Sequence, residues 1–183
     1  MSAIETTDAR LRVFFALWPP ERTAVRLEQW AQDLARGSGG RLTRQETIHL
    51  TLAFLGEIEA ARVDDAISVA RAVRAPAHKL LIEHAEYWPH NRILWVGPRR
   101  TPATMARLAR ELGKALRRAD FALERRPFAA HVTLIRRARA PRALPPLPRV
   151  DWPVDEFLLV RSLLSREGAQ YRVLERFPLQ GHS

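Results

Sequence analysis

The chain has 183 residues and a formal net charge of +10, a length that suits a single domain with a sizeable core and a charge that fits a polyanionic partner. Because it contains no cysteine, disulfides and thiolate metal sites are excluded. The first ten residues are polar, and no apolar run reaches the roughly 20 residues that span a bilayer, so we expect a cytoplasmic protein without a membrane partner.

The first half of the chain predicts two strands and two helices in alternation. An apolar run over residues 12–17 is typical of a strand, and the prolines at 19 and 20 suit the start of a helix. The apolar positions of that helix recur at helical spacing up to a glycine-rich stop at 37–40: Leu27, Trp30, Ala31 and Leu34. Residues 48–55 form a β-rich run that ends at Gly56, and the spacing over 63–73 predicts the second helix.

The second half predicts a hairpin, a helix, a strand and a closing hairpin. Runs at 80–82 and 92–96 indicate two strands joined around 89–91. Thr101 and Pro102 predict a helix start with Thr101 as the N-cap. Residues 128–135 then predict a strand, residues 136–153 with their five prolines predict a loop, and 154–164 with 170–177 predict a hairpin.

A weak internal repeat links the two halves. Each half contains a His-x-Thr sequence in an apolar strand, and each of these strands follows a helix that starts at proline. The separations Pro20 to His49 and Pro102 to His131 are both 29 residues. We therefore predict an α+β fold with mainly antiparallel sheets, in which the two motif strands face each other across a groove.

The two motifs have the groups that phosphodiester cleavage requires without a metal. Alternate residues of a strand share a face, so His49 with Thr51, and His131 with Thr133, should point to one surface. Two imidazoles can act as base and acid near neutral pH, while hydroxyl and cationic groups stabilise the charge that builds on the phosphoryl oxygens. By the same alternation, Leu50, Leu52 and Phe54 should face the core, as should Val132 and Leu134.

Other interpretations of these residues stay open. A single His-x-Thr can be structural, since threonine is a good strand former. Paired histidines can also bind a metal, but neither motif has an acidic residue in phase, and no His-x-His or His-x-x-x-His occurs. The positive charge is almost all arginine, since only Lys79 and Lys114 are lysines, and such a skew also arises from a GC-rich genome.

Four segments together resemble the two-histidine (2H) phosphoesterase superfamily, and most closely its RNA 2′,3′-cyclic phosphodiesterase branch, also called 2′-5′ RNA ligases. They are the opening strand, the two motif segments and the closing hairpin, over residues 12–17, 47–56, 126–136 and 165–179. The resemblance implies one 2H domain over 1–183 with two interleaved, pseudo-symmetric lobes of mainly antiparallel sheet, helices packed outside and a central cleft.

The resemblance also implies an activity and roles for five residues. It implies hydrolysis of RNA 2′,3′-cyclic phosphate ends to 2′-phosphomonoesters without metal or cofactor. His49 would be the proton donor to the departing 3′ oxygen and His131 the proton acceptor from water. Thr51, Thr133 and Arg136 would hold the phosphate, although Arg136 is out of phase with His131 by strict alternation and must act from a bulge or a strand end.

The alternatives are 2′-5′ RNA ligation, or binding of RNA or nucleotides with incidental hydrolysis. Small cyclic nucleotides are a possible substrate beside RNA, and we expect a monomer. Phe15 and Phe128 lie near the motif strands and are candidates for base stacking. The five tryptophans are expected mostly in the core or at the rim, and the remaining histidines at structural or surface positions: Trp18, Trp30, Trp88, Trp95 and Trp152; His78, His84, His90 and His182.

Overall fold

The computed structural model describes residues 9–165 and 168–181. These residues form the following helices and strands in chain order: β1 Arg10–Leu17, α1 Glu21–Ser38, β2 Arg41–Leu42, β3 Leu50–Glu59, α2 Val63–Ala72, β4 His78–Ile82, β5 His84–Trp88, β6 Ile93–Gly97, α3 Ala103–Arg118, β7 Val132–Arg136, β8 Val150–Val154, β9 Glu156–Ser165 and β10 Gly168–Pro178. Single 3₁₀ turns at Gln45–Thr47 and Ala60–Arg62 precede β3 and α2. His182 and two residues of the predicted β9–β10 turn lie outside the described residues.

Two four-stranded sheets form the frame of the molecule. The first has the strand order β10-β9-β1-β3 and the second the order β2-β7-β6-β5, while β4 and β8 form a separate two-stranded sheet. Every ladder between these strands is antiparallel. This arrangement confirms the predicted α+β class with mainly antiparallel sheets.

The helices connect the two sheets by packing across them. Helix α1 follows β1 of the first sheet but contacts β2 and β7 of the second, whereas α2 and α3 contact each other and strands of the first sheet. The apolar positions predicted for α1 are buried, as the amphipathic spacing requires. Buried side chains of both sheets consequently share one large hydrophobic core, while Phe14, Ala16, Leu158 and Val160 form a second, small cluster on the other face of the first sheet.

The predicted hairpin over 80–96 and the predicted loop over 136–153 are both wrong in part. The hairpin partner of β6 is β5, which is not among the predicted strands, while β4 pairs with β8 so that Leu80 lies opposite Trp152. Strand β8 contains Pro153 and falls mostly inside the predicted loop. A proline is tolerated there because a two-stranded sheet has free edges, toward which the missing N–H can face.

Helices α1 and α3 begin in the same way, at a proline. The prediction that Thr101 is the N-cap of α3 is wrong. Pro102 itself is the N-cap of α3, and Pro20 is the N-cap of α1, with no side-chain cap in either case. The Pro20 carbonyl accepts a hydrogen bond from Ala24 at 3.0 Å, and the Pro102 carbonyl accepts one from Ala106 at 2.9 Å. A proline N-cap lacks only an N–H that the helix does not use, so both helices start at equivalent places before the motif strands.

Candidate active site

Both His-x-Thr motifs lie on one cleft. Strand β3 begins at Leu50 and β7 at Val132, so each histidine immediately precedes its strand rather than lying inside it. Strands β3 and β7 contact each other where the two sheets meet. All five predicted phosphate-site residues line the same cleft of about 1080 Å³: His49, Thr51, His131, Thr133 and Arg136.

The two imidazole rings are oriented by equivalent hydrogen bonds. Nδ1 of His49 lies 2.7 Å from the Thr47 carbonyl oxygen, and Nδ1 of His131 lies 2.8 Å from the Ala129 carbonyl oxygen. A carbonyl oxygen only accepts, so Nδ1 must carry the proton and donate it in both rings. In each neutral imidazole Nε2 is then unprotonated, and it is the nitrogen that is free to exchange a proton with a substrate.

A β-bulge after each threonine sets the direction of the next side chains. In β7 the pairing with β6 shifts between Leu94↔Ile135 and Trp95↔Thr133, and the fully buried Leu134 and Ile135 both face the core. Arg136 therefore returns to the face of Thr133 at the end of β7 and lines the cleft. The bulge therefore explains how Arg136 can face the cleft although strict alternation would place it on the opposite face from His131 and Thr133.

Strand β3 has an equivalent β-bulge. The prediction that Phe54 faces the core is therefore wrong. The pairing of β3 with β1 shifts around Leu52, so that Ala16 lies opposite Thr51 and Phe14 opposite Phe54. Phe54 packs with the small cluster that contains Phe14 and lines the cleft. Phe54 and Arg136 thus occupy equivalent positions, three residues after the threonine of each motif.

Two glycines allow the backbone to approach the second motif closely. A Cβ at Gly97 would lie 2.6 Å from the Ala130 carbonyl oxygen, next to His131. A Cβ at Gly40 would lie 2.7 Å from the Arg136 carbonyl oxygen, and Gly40 has a φ of +91°. Larger residues at either position would displace the segment that carries a predicted site residue.

The two aromatic candidates for base stacking have different surroundings. Phe15 has no exposed surface, and its ring packs against Phe157 and Phe177 in the core at centroid distances of 6.2 and 5.9 Å. The predicted stacking role of Phe15 is therefore wrong, because a base cannot reach it. Phe128 is half-buried and lines the cleft, so it remains a candidate.

Burial and positive charge disfavour the protonated form of both histidines in the free protein. Burial lowers the pKa of His49 from 6.5 to about 4, with smaller contributions from the charges of Arg136 and His131, while the Thr47 hydrogen bond opposes them. Burial also lowers the pKa of His131, and Arg136 and Arg126 act in the same direction. A bound anion would raise both pKa values, because negative charge favours the imidazolium form.

The cleft carries an excess of positive charge. Its ionised side chains other than histidine are seven arginines and one glutamate: Arg41, Arg44, Arg110, Arg117, Arg125, Arg126, Arg136 and Glu124. Among the residues that the structure describes, four of these arginines have no carboxylate within salt-bridge distance: Arg41, Arg117, Arg125 and Arg136. A site that leaves several arginines without a carboxylate is suited to an anionic ligand.

Comparison with protein families identifies the chain. The model of the LigT-like phosphoesterases matches residues 17–95 and again residues 96–171, so that each match contains one His-x-Thr motif. The chain belongs to the LigT-like phosphoesterase family. The resemblance to the 2H phosphoesterases is thereby confirmed, and the two matches correspond to the two halves of the internal repeat.

Relatives of this LigT-like protein cover nearly its whole length. The RNA 2′,3′-cyclic phosphodiesterase of Escherichia coli is 32% identical over 170 residues, which cover 92% of this chain and 96% of the relative. The enzyme of the same name from Thermus thermophilus is 31% identical, with 93% of this chain and 91% of the relative covered. A crystal structure of E. coli LigT complexed with 3′-AMP superimposes with a TM-score of 0.88 at 31% identity, covering 93% of this chain and 99% of that structure. This match confirms the two-lobe 2H fold.

In this LigT-like protein His49 lies among three aromatic rings that are absent from the predicted site residues. Trp18 stacks on the imidazole at a centroid distance of 5.1 Å and an interplanar angle of 11°. Phe14 lies at 5.0 Å and Tyr171 at 5.2 Å, the latter edge-on at 86°. Alternation along β1 places residues 14, 16 and 18 on the face opposite to Phe15, but it does not indicate which of the two faces meets the site.

His131 also packs against aromatic rings, in a different geometry. The Trp88 ring lies at 4.8 Å and is tilted by 58°, and the Trp95 ring lies at 6.2 Å and is nearly perpendicular at 78°. Trp88 and Trp95 contact each other at 4.8 Å. Both tryptophans come from the β5–β6 hairpin, whereas the sequence predicts that β6 pairs with the strand at 80–82.

Among the residues described, no helix is long and apolar enough to cross a bilayer.

The lowered pKa of His49 predicts a loss of stability at acid pH. Between pH 6.5 and about 4 the unfolded chain binds a proton that the folded chain does not, so the free energy of unfolding falls as the pH falls through this window. We expect His49→Asn, which cannot titrate, to reduce that loss by about 1–3 kcal/mol. Urea unfolding at pH 7 and pH 4.5 measures the difference, with the exposed His90→Asn as matched control. An equal loss in wild type and His49→Asn would contradict the prediction.

Proposed function

We propose that this protein hydrolyses RNA 2′,3′-cyclic phosphate ends to 2′-phosphomonoesters by acid–base catalysis, without a metal. The observation that carries the proposal is the pair of equivalent imidazoles, each with Nδ1 bound to a backbone carbonyl, on one arginine-lined cleft. The relatives from E. coli and T. thermophilus are both named RNA 2′,3′-cyclic phosphodiesterase, which supports the choice of substrate.

In the proposed reaction, the two histidines act on opposite sides of the phosphorus. Nε2 of neutral His131 takes a proton from water while the water oxygen bonds to phosphorus. The bond from phosphorus to the 3′ oxygen breaks, and that oxygen receives a proton from Nε2 of protonated His49. The phosphate remains on the 2′ oxygen, and the exchange leaves His131 protonated and His49 neutral.

Three other cleft residues would stabilise the charge on the phosphoryl oxygens. The hydroxyls of Thr51 and Thr133 lie next to the two histidines on the cleft face of their strands, and Arg136 supplies a guanidinium without a carboxylate partner in the described chain. The anionic phosphate would in turn raise the pKa of His49, which is about 4 in the free protein. Substrate binding thereby favours the protonated form that a donor must have.

The side chains around the histidines support a reaction without metal. Over residues 9–165 and 168–181, no three histidine, aspartate or glutamate side chains lie together as metal ligands would. Arginines line the cleft, and their guanidinium groups can neutralise the charge on the phosphoryl oxygens. Arginine and threonine can bind the phosphate directly.

We expect turnover of an oligonucleotide that ends in a 2′,3′-cyclic phosphate to be unchanged by excess chelator. The product should be the 2′-phosphomonoester, distinguished from its 3′ isomer by chromatography beside authentic 2′- and 3′-phosphate standards. His131→Ala protein is the control for contaminating nuclease. Loss of activity with chelator and recovery with a divalent ion would contradict the metal-free reaction, and formation of only 2′-5′ joined products would favour ligation instead.

A further inference from the structure

We propose that Trp18 is a positioning residue for the proton donor: its indole face holds the His49 ring and stabilises the protonated imidazole. This inference rests on the donor role of His49 in the proposed function. Trp18 does not itself line the cleft, whereas His49 and Tyr171 do, so it acts through His49 rather than on the substrate.

The backbone around Trp18 fixes the ring over His49. In the antiparallel register of β1 and β3, Leu17 lies opposite Leu50, so Trp18 and His49 are neighbours just beyond the paired strands. Pro19 follows and restricts Trp18 to extended backbone conformations. Tyr171 contacts Trp18 edge-on at 5.9 Å and 86°, which supports the indole from the β10 side. The result is the nearly parallel stack on His49, at an angle of 11°.

A cation over the face of an indole is attracted by the negative charge of the π-system. The parallel stack therefore favours imidazolium over neutral imidazole at His49 and opposes the burial that lowers the pKa of this residue. Within the described chain His131 has no equivalent, because its two ring contacts are tilted by 58° and 78°. The stack therefore acts on His49 and not on His131, and its effect on the pKa of His49 has the direction that a proton donor requires.

The direction in which the pKa of His49 changes when Trp18 is replaced distinguishes stabilisation of the cation from simple burial of the ring. If Trp18 only buries His49, replacing it with leucine admits water and raises the pKa of His49. If the indole face stabilises the cation, Trp18→Leu lowers that pKa by about 0.5 to 1.5. Trp18→Phe keeps an aromatic face and should give a value between leucine and wild type.

The experiment is an NMR titration of the histidine ring nitrogens in wild type, Trp18→Leu and Trp18→Phe, with the His49 signal assigned by His49→Asn. Each protein is titrated alone and with saturating inorganic sulfate, whose charge raises the histidine pKa values into a range where the protein stays folded. Trp30→Phe is the matched control, since Trp30 is a buried tryptophan of α1 that donates to Pro146. Circular dichroism checks folding, and Trp18→Phe keeps the test valid if the leucine variant unfolds.

We expect the pKa of His49 to fall in the order wild type, phenylalanine, leucine, with His131 unchanged. At pH values above the His49 pKa of the enzyme–substrate complex, single-turnover cleavage by Trp18→Leu should drop about 3-fold to 30-fold, because the fraction of protonated donor falls with its pKa. An unchanged or raised His49 pKa in both Trp18 variants would overturn the proposal. Since the titration needs no turnover, absence of cleavage in the wild-type protein would reject the proposed function while the titration still decides the role of Trp18.

Discussion

Replacement of either His49 or His131 by alanine is expected to slow single-turnover cleavage of an RNA 2′,3′-cyclic phosphate by about 10²–10⁴-fold. Each variant removes one proton transfer and leaves the arginines and threonines of the cleft in place. The double variant should lose less than the product of the two single losses, because the histidines act as one unit. Rapid quench of the reaction with enzyme in excess measures these losses.

The control for these variants is His90→Ala, which removes an exposed histidine from the same cleft. This variant should keep a rate close to that of the wild type. Thr51→Ala and Thr133→Ala should each cost less than a histidine variant, because each removes only one of several phosphate contacts. A folded His131→Ala protein with the wild-type rate would contradict the acceptor role.

Replacement of Arg136 by methionine should lower kcat/KM by about 10²–10³-fold and also move the pH profile. The first effect follows from the loss of a cationic group aimed at the phosphoryl oxygens. The second follows because the charge of Arg136 lowers the pKa of both His49 and His131. Removing that charge raises both pKa values, so both limbs of a bell-shaped profile should move to higher pH.

Arg137→Met is the matched control for Arg136→Met. Arg137 is the next residue in the chain and is exposed, but it does not line the cleft. We expect Arg137→Met to change neither kcat/KM nor the position of the pH profile by a comparable amount. A profile that stays in place in Arg136→Met, or that moves equally in both variants, would show that Arg136 does not act on the histidines as the structure implies.

Local sequence patterns were sufficient to find the two motifs, but not the faces of their neighbours. His-x-Thr in an apolar strand is a short-range signal, and the structure brings both copies to one cleft. The choice between Phe14 and Phe15 is not local, because every residue from Val13 to Leu17 is buried and no polar residue marks the cleft face. The orientation of Phe54 was missed because the bulge depends on the pairing of β3 with β1.

The aromatic surroundings of the histidines depend on contacts between distant segments. Trp18 meets His49 only through the register of β1 and β3, and Tyr171 reaches them from β10, which is paired with β9 rather than with either motif strand. Trp88 reaches His131 through the β5–β6 hairpin, whose strands were assigned to the wrong partners. Burial, and with it the lowered histidine pKa values, likewise follows from tertiary packing.

The proposed reaction has His49 protonate the departing 3′ oxygen while His131 accepts the proton of water. It is tested most directly with an RNA end whose 2′,3′-cyclic phosphate has sulfur in place of the bridging 3′ oxygen, because a thiolate leaves without protonation. In single-turnover experiments, we predict that the sulfur substrate restores most of the rate lost in His49→Ala and little of that lost in His131→Ala. Equal rescue of both variants, or rescue of His131→Ala alone, would contradict the assignment of donor and acceptor.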